Sequence, residues 1–285
     1  MKFSTKPNVS IDFLWYLVVL VSLLASVACQ SNTIAQASGS GKATIPEITV
    51  EVNDNGLTVP QELPAGLVAI TVKNTGANSS GLMFARLNEG VSLDTFKQAL
   101  AKHADEEIAL ASWHGEEEVG PGSSLRVIHD LHEGHYVAIS GPYEQPVVVQ
   151  VEVNRSSSLV PAAPTAEFEV KMADFAYVMP HHVKAGVHLW SFENTGKEMH
   201  LFNIIKLHEG KTIDEVLALA QNEELPDELP FDFAGGWGGM SAGERAWAPL
   251  DLSPGEYMVI CGILDAASGK RHMELGMFHP LVVTD

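Results

Sequence analysis

Apolar and polar residues alternate at the start of two stretches of this chain, at Ile48, Val50 and Val52 and again at Phe168, Val170 and Met172. That two-residue period is the mark of a strand with one buried face. Continuous apolar runs follow at Leu67 to Val72 and Val187 to Phe192, each stopped by Asn-Thr-Gly, and then at Leu82 to Leu87 and Leu201 to Leu207. The period then changes once in each stretch. Thr212 and Glu215 have capping-box spacing ahead of Val216, Leu217 and Ala220, and Ser92 to Leu100 reads the same way, so each stretch should hold one helix. Strands resume at Leu125 to Ile128, Gly134 to Ser140 and Gly255 to Cys261. The pattern predicts a meander of antiparallel strands with a short helical insertion, packed as a β-sandwich, twice over.

The two stretches are copies of one unit. Pro60 meets Pro180, Asn74-Thr75-Gly76 meets Asn194-Thr195-Gly196, and Glu89-Gly90 meets Glu209-Gly210 at a constant shift of 120 residues. Gly134-His135-Tyr136 meets Gly255-Glu256-Tyr257 at 121, so one inserted residue separates two long self-similar stretches. The expected domains are residues 46–153 and 167–285, joined by a Ser- and Pro-containing linker at 154–166. Under this register His200 falls opposite Ser80, and Cys261 opposite Ser140. Soft-metal donors therefore stand in one copy where the other has serines.

Lys2 and Lys6 precede an apolar run from Phe13 to Ala28, which reads as an export signal over residues 1–28, an uncleaved membrane anchor being the alternative. Ser26-Val27-Ala28-Cys29 resembles the lipobox of bacterial lipoproteins, with Ser26 where leucine is usual. The resemblance implies a lipid on Cys29 and an extracytoplasmic chain anchored to the cell membrane or outer membrane, each buried methylene contributing about 0.8 kcal/mol. Residues 29–45 would be a flexible tether. The formal net charge of -19, with no basic patch, excludes nucleic acid as a partner. With Cys29 acylated, Cys261 has no disulfide partner; it is either a small buried apolar residue or a thiolate ligand.

The second copy resembles a cupredoxin, the small copper-protein family of plastocyanin and azurin. The residues that carry the likeness are the Asn-Thr-Gly turn before His200, Pro254-Gly255-Glu256-Tyr257 leading to Cys261, and then His272 and Met277. The resemblance implies an all-β protein of two tandem Greek-key β-sandwich domains. It also implies one copper ion held in the C-terminal domain by His200, Cys261, His272 and Met277, with the thioether as the weak axial donor. A trigonal set of one thiolate and two imidazoles suits copper in both oxidation states. The departure is the loop, since Gly262 to Arg271 separate Cys261 from His272, whereas the family usually places that histidine two to four residues after the cysteine. Lengthening it costs only about 1 kcal/mol, against about 10 kcal/mol or more for tight metal binding. Ala266-Ala267-Ser268-Gly269 reads as a turn that would fold Ile263-Leu264 onto Lys270-Arg271 and return His272 toward Cys261. The matching loop of the first copy is short, Gly141 through Gln145, and has no histidine or methionine.

The function expected is electron transfer or copper handling, with a redox or copper-donor protein as partner; a metal-free module presenting sandwich loops to another envelope protein is the alternative. Ile260 and Gly262 flank Cys261, where related copper enzymes carry a histidine, so no oxidase or reductase activity is expected. His129, His132 and His135 read as decoration of a solvent-facing turn, with a surface metal site as the competing reading. His181-His182, Met179, Met199 and His279 are weaker candidates near the domain face. Gly235-Gly236-Trp237-Gly238-Gly239-Met240 reads as a flexible loop with one aromatic anchor, or an aromatic flap beside the site.

Overall fold

The computed structural model describes residues 43–102, 107–141, 145–155, 161–219 and 228–285. The export signal, Cys29, most of the tether, the middle of the linker and Ala220 lie outside the described residues. No helix among those described is long and apolar enough to cross a membrane.

The first copy contributes β1 (Glu47–Asn53), β2 (Gly56–Thr58), β3 (Glu62–Pro64), β4 (Gly66–Asn74), β5 (Ser80–Leu87), α1 (Leu93–Leu100), β6 (Ala111–Val119), β7 (Ser124–Leu131), β8 (Gly134–Ser140) and β9 (Val147–Asn154). The second repeats the order with β10 (Phe168–Ala173), β11 (Ala176–Val178), β12 (His182–Lys184), β13 (Gly186–Asn194), β14 (His200–Leu207), α2 (Ile213–Leu219), β15 (Phe231–Met240), β16 (Arg245–Leu252), β17 (Gly255–Ile260) and β18 (Phe278–Thr284). Both helices start as their caps predict. The Ser92 side chain accepts from Thr95 N–H, while Thr212 and Glu215 each accept the other's backbone N–H.

The architecture is an all-β sandwich, but its strands are not a simple meander. β1 lies parallel to β4, and β10 parallel to β13. The chain leaves the first sheet after β2, adds β3 to the opposite sheet beside β9, and returns as β4 next to β1. A strand that comes back after crossing between sheets arrives parallel to its predecessor.

The copies are joined edge to edge through both sheets. One sheet runs β11-β10-β13-β16-β7-β4-β1-β2, the other β12-β18-β17-β14-β15-β6-β5-β8-β9-β3. At the seam β7 meets its counterpart β16, and β6 meets its counterpart β15, both antiparallel. The pairings are Ala246 with His129, Trp247 with Ile128, and Met240 with His114. A single apolar cluster spans the junction, including Val50, Phe84 and Tyr136 from one copy and Phe192, Trp237 and Leu281 from the other.

The glycine-rich segment is part of this seam, which corrects the loop reading. Gly235 through Met240 lie in β15, and Trp237 is 2% exposed. A Cβ on Gly238 would lie 2.6 Å from Glu116 N, and one on Gly115 would lie 2.1 Å from Trp237 Nε1. The glycines are there because another backbone and an indole occupy the space of their side chains. Gly115→Ala is expected to cost about 2–5 kcal/mol, left-handed strain at φ 96 plus overpacking against Trp237. Gly243→Ala, at φ 81 with nothing within 4 Å, should cost only about 1–2 kcal/mol. Denaturant unfolding of the two variants checks this, and equal losses would remove the close-approach explanation.

Candidate metal centre

The Asn-Thr-Gly turn is a hydrogen-bonded device built from a buried asparagine. Asn194 Nδ2 donates to Glu198 O and Met240 O at 2.7 Å each, and Asn194 Oδ1 accepts from Gly196 N–H at 2.9 Å. Asn74 makes the same bonds in the first copy, to Asn78 O, Val119 O and Gly76 N–H. Asp54 and Asp174 clamp the two turns from below by accepting backbone N–H groups, from Ala77 and Asn78 and from Lys197 and Glu198 respectively. In the second copy this clamp sets where β14 begins, and β14 begins with His200.

Cys261 follows β17, and the loop after it closes as its turn residues predict. Leu264 and Arg271 form an antiparallel bridge, Asp265 N–H donates to Lys270 O, and His272 N–H donates to Ile263 O at 2.8 Å. A 3-10 turn from His272 to Leu275 then ends at Gly276, whose φ of 109 suits glycine. The ten-residue segment between Cys261 and His272 is thus a hairpin that carries His272 back over Cys261.

The result is a group of three donors. One ligand atom each from His200, Cys261 and His272 lies within 4.8 Å of the others, and all three residues are 0% exposed. His200 Nδ1 is 3.1 Å from His272 Nδ1, which is 3.4 Å from Cys261 Sγ. The sulfur also accepts from Leu201 N–H at 3.3 Å. Met277 is buried too, and its main chain is tied to both partners, its N–H donating to His272 O and its carbonyl accepting from Cys261 N–H.

Two acidic residues complete the site. His272 Nε2 lies 2.9 Å from Glu198 Oε2, and His200 Nε2 lies 3.3 Å from Asp174 Oδ1. A carboxylate at the far nitrogen favours the proton there, the tautomer in which Nδ1 can bind a cation; without a cation, the 3.1 Å contact between the two Nδ1 atoms is a hydrogen bond that one ring donates. Burial lowers His200 to about 4, with the His272 ring adding to the fall. Burial also lowers His272, against the pull of Glu198. Both rings are neutral at pH 7, the state a metal requires. Burial pushes the Cys261 thiol up to about 12, which makes it inert as a nucleophile until a cation displaces its proton. Phe175 covers the group, its ring edge-on to His272 with centroids 5.2 Å apart, and it stands at φ 61, a left-handed conformation that bulky residues rarely adopt. A thiol, two neutral imidazoles and carboxylates behind them fit one copper ion.

In the first copy the corresponding place holds Ser80 and Ser140, whose hydroxyls are 3.0 Å apart and hydrogen-bonded to each other. The other sequence candidates lie elsewhere. His135 is on the surface beside Glu152, and His181 stacks on His279 with centroids 4.1 Å apart. His129 corrects the surface reading: it is 0% exposed, packed at the seam between Phe84 and Trp237. Asp174 and Glu198 were not singled out from sequence, although the repeat register held the signal, since Glu198 stands where the first copy has Asn78.

No family model and no curated protein matches the chain. Among solved structures it is similar to a reduced auracyanin from Roseiflexus castenholzii, at 24% identity over 41% of this chain and 95% of that one, with a TM-score of 0.30. It is similar to a multicopper oxidase from Campylobacter jejuni at 14% identity, over 85% of this chain and 64% of that one, with a TM-score of 0.27. A copper nitrite reductase from Nitrosomonas europaea is 11% identical over 85% of this chain and 95% of that one, with a TM-score of 0.24. The expectation that the chain is not an enzyme is corrected by this set, which contains an oxidase and a reductase spanning most of its length. At these scores the assignment of the centre rests on its own geometry.

A Cβ on Gly196 would lie 2.3 Å from Asp174 Oδ1 and 2.7 Å from His200 Nε2. Gly196→Ala should therefore part that pair and weaken copper binding by about 10–100-fold, measured by chelator competition. Gly76→Ala, its counterpart in the first copy, should leave copper affinity unchanged.

Proposed function

We propose that the protein is a membrane-tethered, extracytoplasmic copper protein whose C-terminal copy binds one copper ion through His200, Cys261, His272 and Met277 and serves in electron transfer or copper handling. One observation carries this reading: a thiol and two imidazoles converge in a dry interior in the only copy whose sequence differs from serine at two of those positions. Bound copper supplies one-electron redox chemistry. The protein's residues hold the donors in one arrangement, exclude water and fix both ring protons on the side away from the sulfur. A set that needs no rearrangement between oxidation states favours fast electron exchange. Met277, buried with its main chain bonded to both Cys261 and His272, is the fourth donor and a weak one. The first copy, with its serine pair, acts as scaffold or docking surface for a redox or copper-donor partner.

The purified protein should take up one equivalent of copper at this centre and show an intense visible charge-transfer band. Cys261→Ser should abolish the band, whereas Met277→Leu should keep it and shift the reduction potential. A copper-loaded protein that never shows the band would overturn the thiolate assignment, and tight cuprous binding without a reversible couple would favour copper handling. Cys29→Ser should move the protein from the membrane to the soluble fraction on cell fractionation.

A further inference from the structure

Leu201 supplies the main-chain donor to the Cys261 sulfur, and the strand ladder leaves Leu201 out. β14 pairs with β15 at His200 and again at Phe202, with a register shift between them, and its pairing with β17 begins only at Asn203. A residue skipped by a bulge keeps an N–H and a carbonyl that the sheet does not use, and a buried main-chain group needs a partner. Side chains supply both here. Leu201 N–H donates to Cys261 Sγ at 3.3 Å, and Leu201 O accepts from the Tyr177 hydroxyl.

Tyr177 reaches this carbonyl from the opposite sheet. It stands on β11 across from Met172, is buried, and sets its ring edge-on to Phe202 with centroids 5.8 Å apart. Burial, and after it the charge that Cys261 carries as a thiolate, hold the phenol well above its usual range, so the hydroxyl stays protonated and donates. The ring crosses the sandwich interior and places its one polar atom on the residue that donates to the sulfur.

The repeat shows that the sandwich does not require this arrangement. At the shift of 120 residues Tyr177 falls opposite Leu57 and Leu201 opposite Gly81, and Leu57 pairs with Val52 as Tyr177 pairs with Met172. Gly81 stays in its ladder, opposite Glu118, and the register shift of that strand pair comes later, between Met83 and Ala85. At this place the first copy has neither the sulfur, nor the displaced peptide, nor the phenol. The second copy has them together.

A hydrogen bond to a ligating thiolate draws charge away from the sulfur. Less donation disfavours the oxidised metal, which raises the reduction potential, and it raises the energy of sulfur-to-metal charge transfer. How firmly Leu201 N–H is held therefore bears on both quantities.

We propose that Tyr177 is a positioning residue of the copper centre: its hydroxyl fixes the Leu201 carbonyl, which keeps Leu201 N–H on the Cys261 sulfur and holds the reduction potential up. The inference rests on the copper assignment above. Tyr177→Phe removes the hydroxyl alone. Tyr257→Phe, which removes a like bond to Ser253 O at 2.9 Å in the same copy, is the control. Copper-loaded Tyr177→Phe should still bind one equivalent, with its charge-transfer band moved to longer wavelength and its reduction potential lowered, while Tyr257→Phe keeps both at wild-type values. In the metal-free chain, hydrogen exchange of the Leu201 amide should quicken about tenfold or more in Tyr177→Phe and not in Tyr257→Phe. Unchanged exchange at Leu201, or a band and potential that match the wild type, overturns the proposal. A wild-type chain with no band at all overturns the copper assignment itself, a failure visible before any variant is made.

Discussion

Two acceptor nitrogens and a sulfur aimed at one point in a hydrocarbon interior are the constraint on which the second copy depends. A buried polar group without a partner costs about 1–3 kcal/mol, so three of them would consume much of the roughly 5–15 kcal/mol by which a domain is stable. The fold supplies partners behind each donor, Asp174 and Glu198 for the rings and the Leu201 N–H for the sulfur. Those partners favour the tautomer with the proton on the outer nitrogen, while the two Nδ1 atoms meet at 3.1 Å, a contact that one shared proton or one cation can hold. The carboxylates that satisfy the outer nitrogens therefore leave the inner ones able to take a cation in place of that proton.

The first copy shows how little of this the sandwich itself requires. It has the same buried asparagine, the same aspartate under the turn and the same strand order. Its two serines satisfy each other, so no charge is needed and its loop stays short. What distinguishes the second copy is confined to the donors, Tyr177, Glu198, Phe175 and the hairpin after Cys261. The scaffold came with the repeat, and the chemistry was fitted into one half of it.

Features set by neighbours in sequence were legible before the structure. The caps at Ser92 and Thr212, the Asn-Thr-Gly turns and the hairpin around Ala266 to Gly269 all follow from local backbone preferences, and each lies where the sequence predicts. Features set by distant approach were not. Gly235 to Gly239 resemble a loop until Glu116 and Gly115 are seen pressing against them from the other copy. The parallel pairing of β1 with β4 depends on a crossing between sheets that no alternation of side chains reports. His129 lies near two histidines that do face solvent, and only the seam explains why it is buried. Asp174 repeats Asp54 and so does not stand out, whereas Glu198 replaces Asn78 and was legible only through the repeat register.

Continuity of the sheets places the seam close to the metal centre. Met240 pairs with His200 on one side and with His114 on the other, so the three stand in register across β14, β15 and β6. Two strand spacings put the backbones of His200 and His114 roughly 10 Å apart, and residues in register point to the same face. Trp237, on the same strand as Met240, stacks on Phe192 with centroids 5.5 Å apart and stands 5.7 Å from the His129 ring. An interior packed to this density transmits displacement instead of absorbing it. A shift of β15 at the seam must move Met240, and with it the strand that begins at His200. Joined through shared sheets, the copies cannot adjust the seam and the copper centre separately, as two sandwiches linked by a tether would.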